Sequence, residues 1–321
     1  MSFSTLDRFF RFRFDLASRA AALSFTSNLT LMILKFVVAI LTGSIAVLSD
    51  AVDSAEDLVA SAFAFLSIRL ASQPADEEHP YGHGKAESIA AAGQALLIAG
   101  GGGYIIFQGV RRLIERDVEI DTTPGLIALA VTALVNVAVV LYVGRAARLT
   151  GSPALVADTR HLWANVAQAG AVIAALSLVA LTGNTIFDPI AALLLAAYLL
   201  WTAGQVFTAA LDEIMDVRLP EREEQLIQAC IEEHRAGGVR GYHHLRTRKS
   251  GRQRYVDLHL LFDPQQTVAA AHALCDTIEA AIHDRLPGAV VTIHLEPDDG
   301  RSRGPWREER TRMGKGGEGD R

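Results

Sequence analysis

The sequence predicts an α-helical membrane protein with six transmembrane helices, followed by a small α+β cytoplasmic domain. Half of the 321 residues are hydrophobic and the mean hydropathy is +0.24, too apolar for an ordinary soluble chain. Six apolar stretches, each near the ~20 residues that a bilayer core requires, fill the first two thirds of the chain. Beyond Asp212 the sequence turns charged, and short segments of helical and strand period replace the long apolar runs. The length suits a membrane domain and one small soluble domain.

Met1–Arg19 mixes Phe with Arg8, Arg11, Arg13 and Arg19, as in a segment lying on a membrane surface. The expected spans are Ala20–Leu41, Ile45–Leu70, Ser88–Leu113, Thr123–Val143, Leu155–Leu181 and Ile186–Leu211. The links Thr42–Ser44 and Gly183–Thr185 are short and polar or Gly-rich, which suits tight turns between antiparallel helices. Arg8 to Arg19, Arg69, Lys85, Arg145 and Arg148 fall on the side of both termini, so the positive-inside rule places both termini in the cytoplasm. Arg111, Arg112 and Arg116, mixed with acids on the other side, leave the inverse orientation as the competing reading.

In the second domain Pro220–Glu233 reads as an amphipathic helix opened by Pro and acids. Val239–Lys249 and Arg254–Phe262 read as strands around the turn Ser250-Gly251, Val268–Arg285 as a helix and Val290–Glu296 as a last strand. The order αββαβ implies a small ferredoxin-like sheet with two helices on one face. The domains therefore run 1–19, 20–212, 213–297 and 298–321, the last a charged, Gly-rich stretch that reads as a disordered tail.

Composition excludes several functions. A net charge of −6 argues against a nucleic-acid partner. The two cysteines, Cys230 and Cys275, form no disulfide framework or cysteine zinc finger and read as free thiols. The run Gly100–Gly103 has no lysine-serine sequel, and Gly82-His83-Gly84-Lys85 lacks the Walker spacing, so neither is a nucleotide loop.

The chemistry centres on Ser49–Asp57. Asp50, Asp53 and Asp57 fall at i, i+3 and i+7, on one face of a helix inside an apolar span. Carboxylates at that depth are expensive and mark an ion or proton pathway. Asp53 and Asp57 form an i, i+4 pair, and the fifth span carries His161 and Asn165 at the same spacing. Two such helices can enclose one cation with four ligands, and carboxylate with imidazole suits Zn²⁺ while oxygen-rich sets lean toward Mn²⁺. The loop Asp76 to His83 offers acids and two imidazoles within eight residues. The soluble domain gathers His243, His244, His259, His272, His294 and Glu296, with His294 and Glu296 on one strand face.

LSDAVDSAEDL, QPADEEHPYGHGKAES and ADTRHLWAN together resemble the cation diffusion facilitator (cation efflux) family, in its bacterial ferrous-iron and zinc efflux branch. The resemblance runs from about the first span to Pro297. It implies a transport site of Asp53, Asp57, His161 and Asn165, and a loop site of Asp76, His79 and His83. It also implies a cytoplasmic site of His243, His259, His272, His294 and Glu296, and an interlock of Lys85 with Asp216 across a homodimer. His234, His244 and His283 are left as surface histidines. Two positions depart from the family pattern: Asn165 and Glu296 each stand where Asp is expected. A neutral amide still coordinates but takes up no proton, which lowers the site charge by one. Asp50 or Asp158 is placed to compensate, and a plain helix-packing role for Asn165 is the competing reading.

The implied function is a non-enzymatic exporter of divalent transition metal in a bacterial inner membrane, exchanging Zn²⁺ or Fe²⁺ (Mn²⁺ and Cd²⁺ also fit) for protons. Zn²⁺ leads both as substrate and as regulatory ligand. A transport-impaired metal-sensing or partner subunit is one alternative. A membrane-anchored metallohydrolase is the remote one, for want of an HExxH-type signature.

Overall fold

The computed structural model describes residues 3–42, 45–115, 123–182 and 186–299, with the side chains of 3–15, 45–50, 52–53 and 123–131 among those outside the description. The short links around residues 43–44 and 183–185, the tail from residue 300, and the side chains of Asp50 and Asp53 therefore lie outside the described residues. The chain divides into two compact units, Met1–Ile214 and Met215–Arg321.

The first unit is built of helices: α1 (Phe3–Thr42), α2 (Ile45–Ala71), α3 (Lys85–Glu115), α4 (Thr123–Thr150), α5 (Pro153–Thr182) and α6 (Phe187–Ile214). No Gly or Pro interrupts Phe3–Thr42, so the segment expected to lie apart on the membrane surface continues as backbone into the first span. Between α4 and α5, Gly151 takes φ +67° and its N–H closes on the Ala147 carbonyl at 2.8 Å. Pro153, whose fixed φ suits a first helical turn, then opens α5.

Four helical stretches are long and apolar enough to cross a membrane, Leu16–Leu41, Lys85–Arg111, Thr132–Thr150 and Pro189–Ile214. Among the described residues this gives four of the six spans expected. α2 and α5 are absent from that set; α2 carries Asp50, Asp53, Glu56 and Asp57 within two turns, and α5 carries Asp158, Arg160 and His161.

Small residues set the spacing between helices. A side chain at Gly102 would put its Cβ 3.3 Å from Leu200, and one at Gly109 would meet Leu193 at 3.4 Å, so α3 lies against α6 at a separation that glycine permits. Ala17, Ala20 and Ala21 of α1, Ala64 of α2 and Val140, Val143 and Ala146 of α4 are buried together with Leu155 and Leu162 of α5.

The second unit runs α7 (Glu221–Glu233), a 3₁₀ turn at Arg235–Gly237, β1 (Val239–Ser250), β2 (Gln253–Phe262), α8 (Val268–Arg285) and β3 (Ala289–Pro297). The sheet order is β1-β2-β3, antiparallel between β1 and β2 and parallel between β2 and β3. α8 supplies the crossover that a parallel pair requires, and Thr267 caps its start by accepting from the Ala270 N–H at 3.3 Å. Alternation along β2 decides the faces. Val256, Leu258, Leu260 and Phe262 are buried with Ile227 and Ile231 of α7 and Ile278 and Ile282 of α8. Each such side chain contributes about 1.5–3 kcal/mol. Asp257, His259 and Leu261 are left on the opposite, half-buried face. Cys230 and Cys275 are free and buried, part of this core.

Candidate metal centres

In the helical unit the contact of α2 with α5 brings Asp57, His161 and Asn165 together. His161 Nε2 lies 2.9 Å from Asp57 Oδ1, and Asn165 Nδ2 donates to the same oxygen at 2.8 Å. His161 is 5% exposed, and its Nδ1 has no hydrogen-bond partner among the described residues. Asn28 of α1 donates from Nδ2 to the Asp57 backbone carbonyl at 3.2 Å, pinning that turn of α2. One carboxylate, one imidazole and one amide converge on a point inside the helices. The amide presents nitrogen here, and a turn about its last bond presents oxygen. Asp53 stands one turn earlier on α2, its side chain outside the described part.

Two polar neighbours were not read as candidates from the sequence. Lys35 of α1 donates to Ser54 Oγ at 2.8 Å, and Glu56 lies 3.7 Å from where a side chain on Gly101 would begin. A lone Lys in an apolar helix was the available signal for the first. Asp158, one turn before His161, is fully buried.

Asp76, His79 and His83 meet in the loop between α2 and α3. Asp76 Oδ1 accepts the His79 backbone N–H at 2.6 Å and lies 3.1 Å from His79 Nδ1, while Oδ2 is 3.4 Å from His83 Nε2. Gly82, at φ +77°, lets the loop turn back between the two histidines, whose ring centres are 4.4 Å apart. The His79 backbone N–H, helped by its ring, holds the Asp76 carboxyl below the usual range against the small opposing effect of burial.

In the sheet, register builds the third cluster. His243 pairs with His259 across β1 and β2, and His259 pairs with His294 across β2 and β3, so one rung of the sheet is histidine on all three strands. Glu296, two residues along β3, shares their face. Its Oε1 is 2.7 Å from His259 Nδ1 and 3.7 Å from His294 Nε2, and its Oε2 is 2.9 Å from His243 Nε2. Burial opposes the charge on Glu296, but the contacts with His243 and His259 outweigh it and lower its pKa. Ligand atoms of His243, His259 and Glu296 all lie within 4.8 Å of one another, a nitrogen-and-carboxylate set that fits Zn²⁺. His272 is not gathered with them: it is exposed on α8, 3.8 Å from Asp276.

His244 is not the plain surface residue expected. Strand alternation would send it to the other face, but the register breaks between His243 and Arg246 and His244 adopts φ +54°. This bulge lays its ring on His259, 4.9 Å centre to centre and within 20° of parallel. Burial, then the charges of His259 and His243, depress its pKa. His234 also has a specific partner, its Nδ1 meeting the Cys230 carbonyl at 2.7 Å. Of the two expected interlock residues, Lys85 donates to the Ile214 carbonyl at 3.2 Å in the first unit. Asp216 lies 3.3 Å from Arg248 in the second.

A helical unit with a buried acid–histidine–amide contact, joined to a small sheet domain carrying a histidine–glutamate cluster, defines a multi-pass membrane transporter of metal cations. Residues 21–215 match the family model described as the cation efflux transmembrane domain, and residues 219–298 match that of the cation efflux protein cytoplasmic domain. The chain belongs to the cation efflux family, whose members are transporters and not enzymes; the metallohydrolase reading is set aside.

The chain is 36% identical over 283 residues to an uncharacterized transporter of Synechocystis, covering 88% of this chain and 91% of that one. It is 36% identical over 280 residues to the cation-efflux pump FieF of Serratia proteamaculans, covering 87% and 92%. A solved zinc form of the putative zinc transporter CzrB is 36% identical and covers 27% of this chain and 99% of that one, with a TM-score of 0.26.

Proposed function

We infer that this chain is a proton-coupled exporter of divalent transition metal, acting as a homodimer in a bacterial inner membrane with both termini in the cytoplasm. Zn²⁺ and Fe²⁺ are its leading substrates, with Mn²⁺ and Cd²⁺ also accepted. All six long helices span, with domain limits at 1–19, 20–212, 213–297 and 298–321. The observation that carries this reading is the convergence of His161 Nε2 and Asn165 Nδ2 on Asp57 Oδ1 between α2 and α5. The cation-efflux pumps among the relatives support the direction of transport.

Asp53, Asp57, His161 and Asn165 take the cation from the cytoplasmic side. The carboxylates supply charge, His161 supplies the softer nitrogen that favours Zn²⁺ over Mg²⁺, and Asn165 turns its oxygen inward. On the outward side, protons on the carboxylates and on His161 compete with the metal and release it. Alternation needs only that the metal-bound and protonated forms prefer opposite conformations. Asp76, His79 and His83 form a peripheral metal site, and the His243, His259, His272, His294 and Glu296 set holds regulatory Zn²⁺. Lys85 and Asp216 interlock the dimer.

Proteoliposomes carrying metal- and pH-sensitive dyes, challenged with Zn²⁺, Fe²⁺, Mn²⁺ and Cd²⁺, test this. Metal flux with opposite proton flux is expected from the native chain and is expected to vanish in Asp57→Ala. A second reading is favoured by one observation: Asn165 is neutral and spends its contact on the Asp57 carboxylate. If only Asn165→Asp moves metal, the native chain is a metal-sensing or partner subunit of the same fold. Flux in neither sinks the transport reading.

A further inference from the structure

We propose that Lys35 is a built-in counter-ion of the transport site, an ammonium that offsets carboxylate charge when no metal is bound and is repelled when metal enters. The inference rests on the transport reading above.

Lys35 lies inside the apolar stretch Leu16–Leu41 of α1, flanked by Ile33, Leu34, Val37 and Val38, all exposed on the outside of the helices. A lysine at that depth ordinarily extends its head toward the membrane surface. This one turns inward. Its Nζ donates to Ser54 Oγ at 2.8 Å, and Ser54 is only 4% exposed, on α2 between Asp53 and Asp57. Among the described side chains, the charged groups gathered within electrostatic reach of one another here are Glu56 and Asp57 from α2, Asp158 and His161 from α5, and Lys35 from α1.

The charge balance gives Lys35 its consequence. An empty carrier that changes conformation with bare carboxylates in a low-dielectric interior meets a large electrostatic penalty. Lys35 supplies one positive charge that needs no proton from either side. With Asn165 already removing one carboxylate from the family pattern, the remaining acids are closer to balance with a single ammonium. The same charge repels an arriving dication, so Lys35 raises the half-saturating metal concentration while speeding the empty return.

The test is flux kinetics of the full chain in proteoliposomes with Zn²⁺ and Cd²⁺, each variant compared with the native chain so that the other metal sites are held constant. Lys35→Gln is expected to lower KM about tenfold, the factor given by about 1.4 kcal/mol of relieved repulsion, and to lower the maximal rate about fivefold. Lys35→Arg keeps the charge and is expected to retain both constants within about twofold. Ser54→Ala frees the ammonium without removing it and is expected to lower KM by a smaller factor. It also serves as the test if Lys35→Gln does not fold. KM unchanged or raised in Lys35→Gln, or Lys35→Arg behaving as Lys35→Gln, overturns the proposal. Absence of flux from the native chain would instead strike the transport reading, so the two failures are separable.

Discussion

At the scale of single residues, the second unit contains an ion pair whose pH dependence follows from geometry. Arg254 forks onto Glu223, with Nε donating at 2.8 Å and Nη2 at 2.7 Å to its two carboxylate oxygens. The hydrogen bonds from Arg254 outweigh partial burial and hold the Glu223 pKa below its ordinary 4.5. A carboxylate whose folded pKa is depressed adds stability that is fully present above the unfolded value. That stability disappears as pH falls through the folded one. Both side chains are mostly shielded, at 19% and 23% exposed, so the bidentate pair is worth about 1–2 kcal/mol. Glu223→Gln is therefore expected to lower the cytoplasmic unit's stability by about that amount at pH 7. Native and variant curves should converge below pH 4.5. Denaturant melts between pH 3 and 7, roughly the titration range of a carboxylate, check this; a constant gap across that range would show that the pair contributes packing rather than charge.

At the scale of elements, the strands, the helices and most of the histidine rung were legible because periodicity and register follow from side-chain alternation. His259, His294 and Glu296 follow directly once the strands are placed. The bulge after His243 was not legible, because an inserted residue leaves no compositional mark when the residue in left-handed backbone is histidine rather than glycine. That backbone costs a non-glycine residue about 1–2 kcal/mol, and here the cost is offset by the stacking of His244 on His259. His244→Gly relieves the backbone and loses the ring, so its stability is expected to stay within about 1 kcal/mol of native. His244→Val keeps the strain, adds a branched Cβ and is expected to lose about 2 kcal/mol. Thermal melts of the two variants rank them; equal losses would mean that the ring, and not the bulge, sets the local energy. His272 stands apart from the rung for a related reason, since helical position says nothing about reach to a sheet, and the acid it meets is its own i+4 neighbour Asp276. In the helical unit, spacing brought out Asp57, His161 and Asn165, whereas the contacts of Lys35 with Ser54 and of Glu56 with the Gly101 turn depend on α1 and α3 lying beside α2.

At the scale of the whole molecule, the two units have separate cores and separate candidate metal clusters. The proposed regulatory site draws its ligand atoms from three strands, and those atoms come together only when the sheet is folded. A ligand with that requirement stabilises the folded form by mass action, about 2.7 kcal/mol at a free concentration of 100 times its Kd. For a small domain each kcal/mol raises Tm by about 4–8 °C, so Zn²⁺ is expected to move the melting of the sheet unit upward by about 10–20 °C. Chelation with EDTA should reverse the shift. Glu296→Gln removes the one carboxylate that meets both His243 and His259, and is expected to abolish most of the response. Asp57→Ala, in the other unit, should leave the sheet unit's response intact while abolishing flux. Scanning calorimetry of the full chain with and without Zn²⁺, on native, Glu296→Gln and Asp57→Ala protein, separates these. A shift of the sheet unit that survives Glu296→Gln would place its metal outside the His243, His259 and Glu296 cluster.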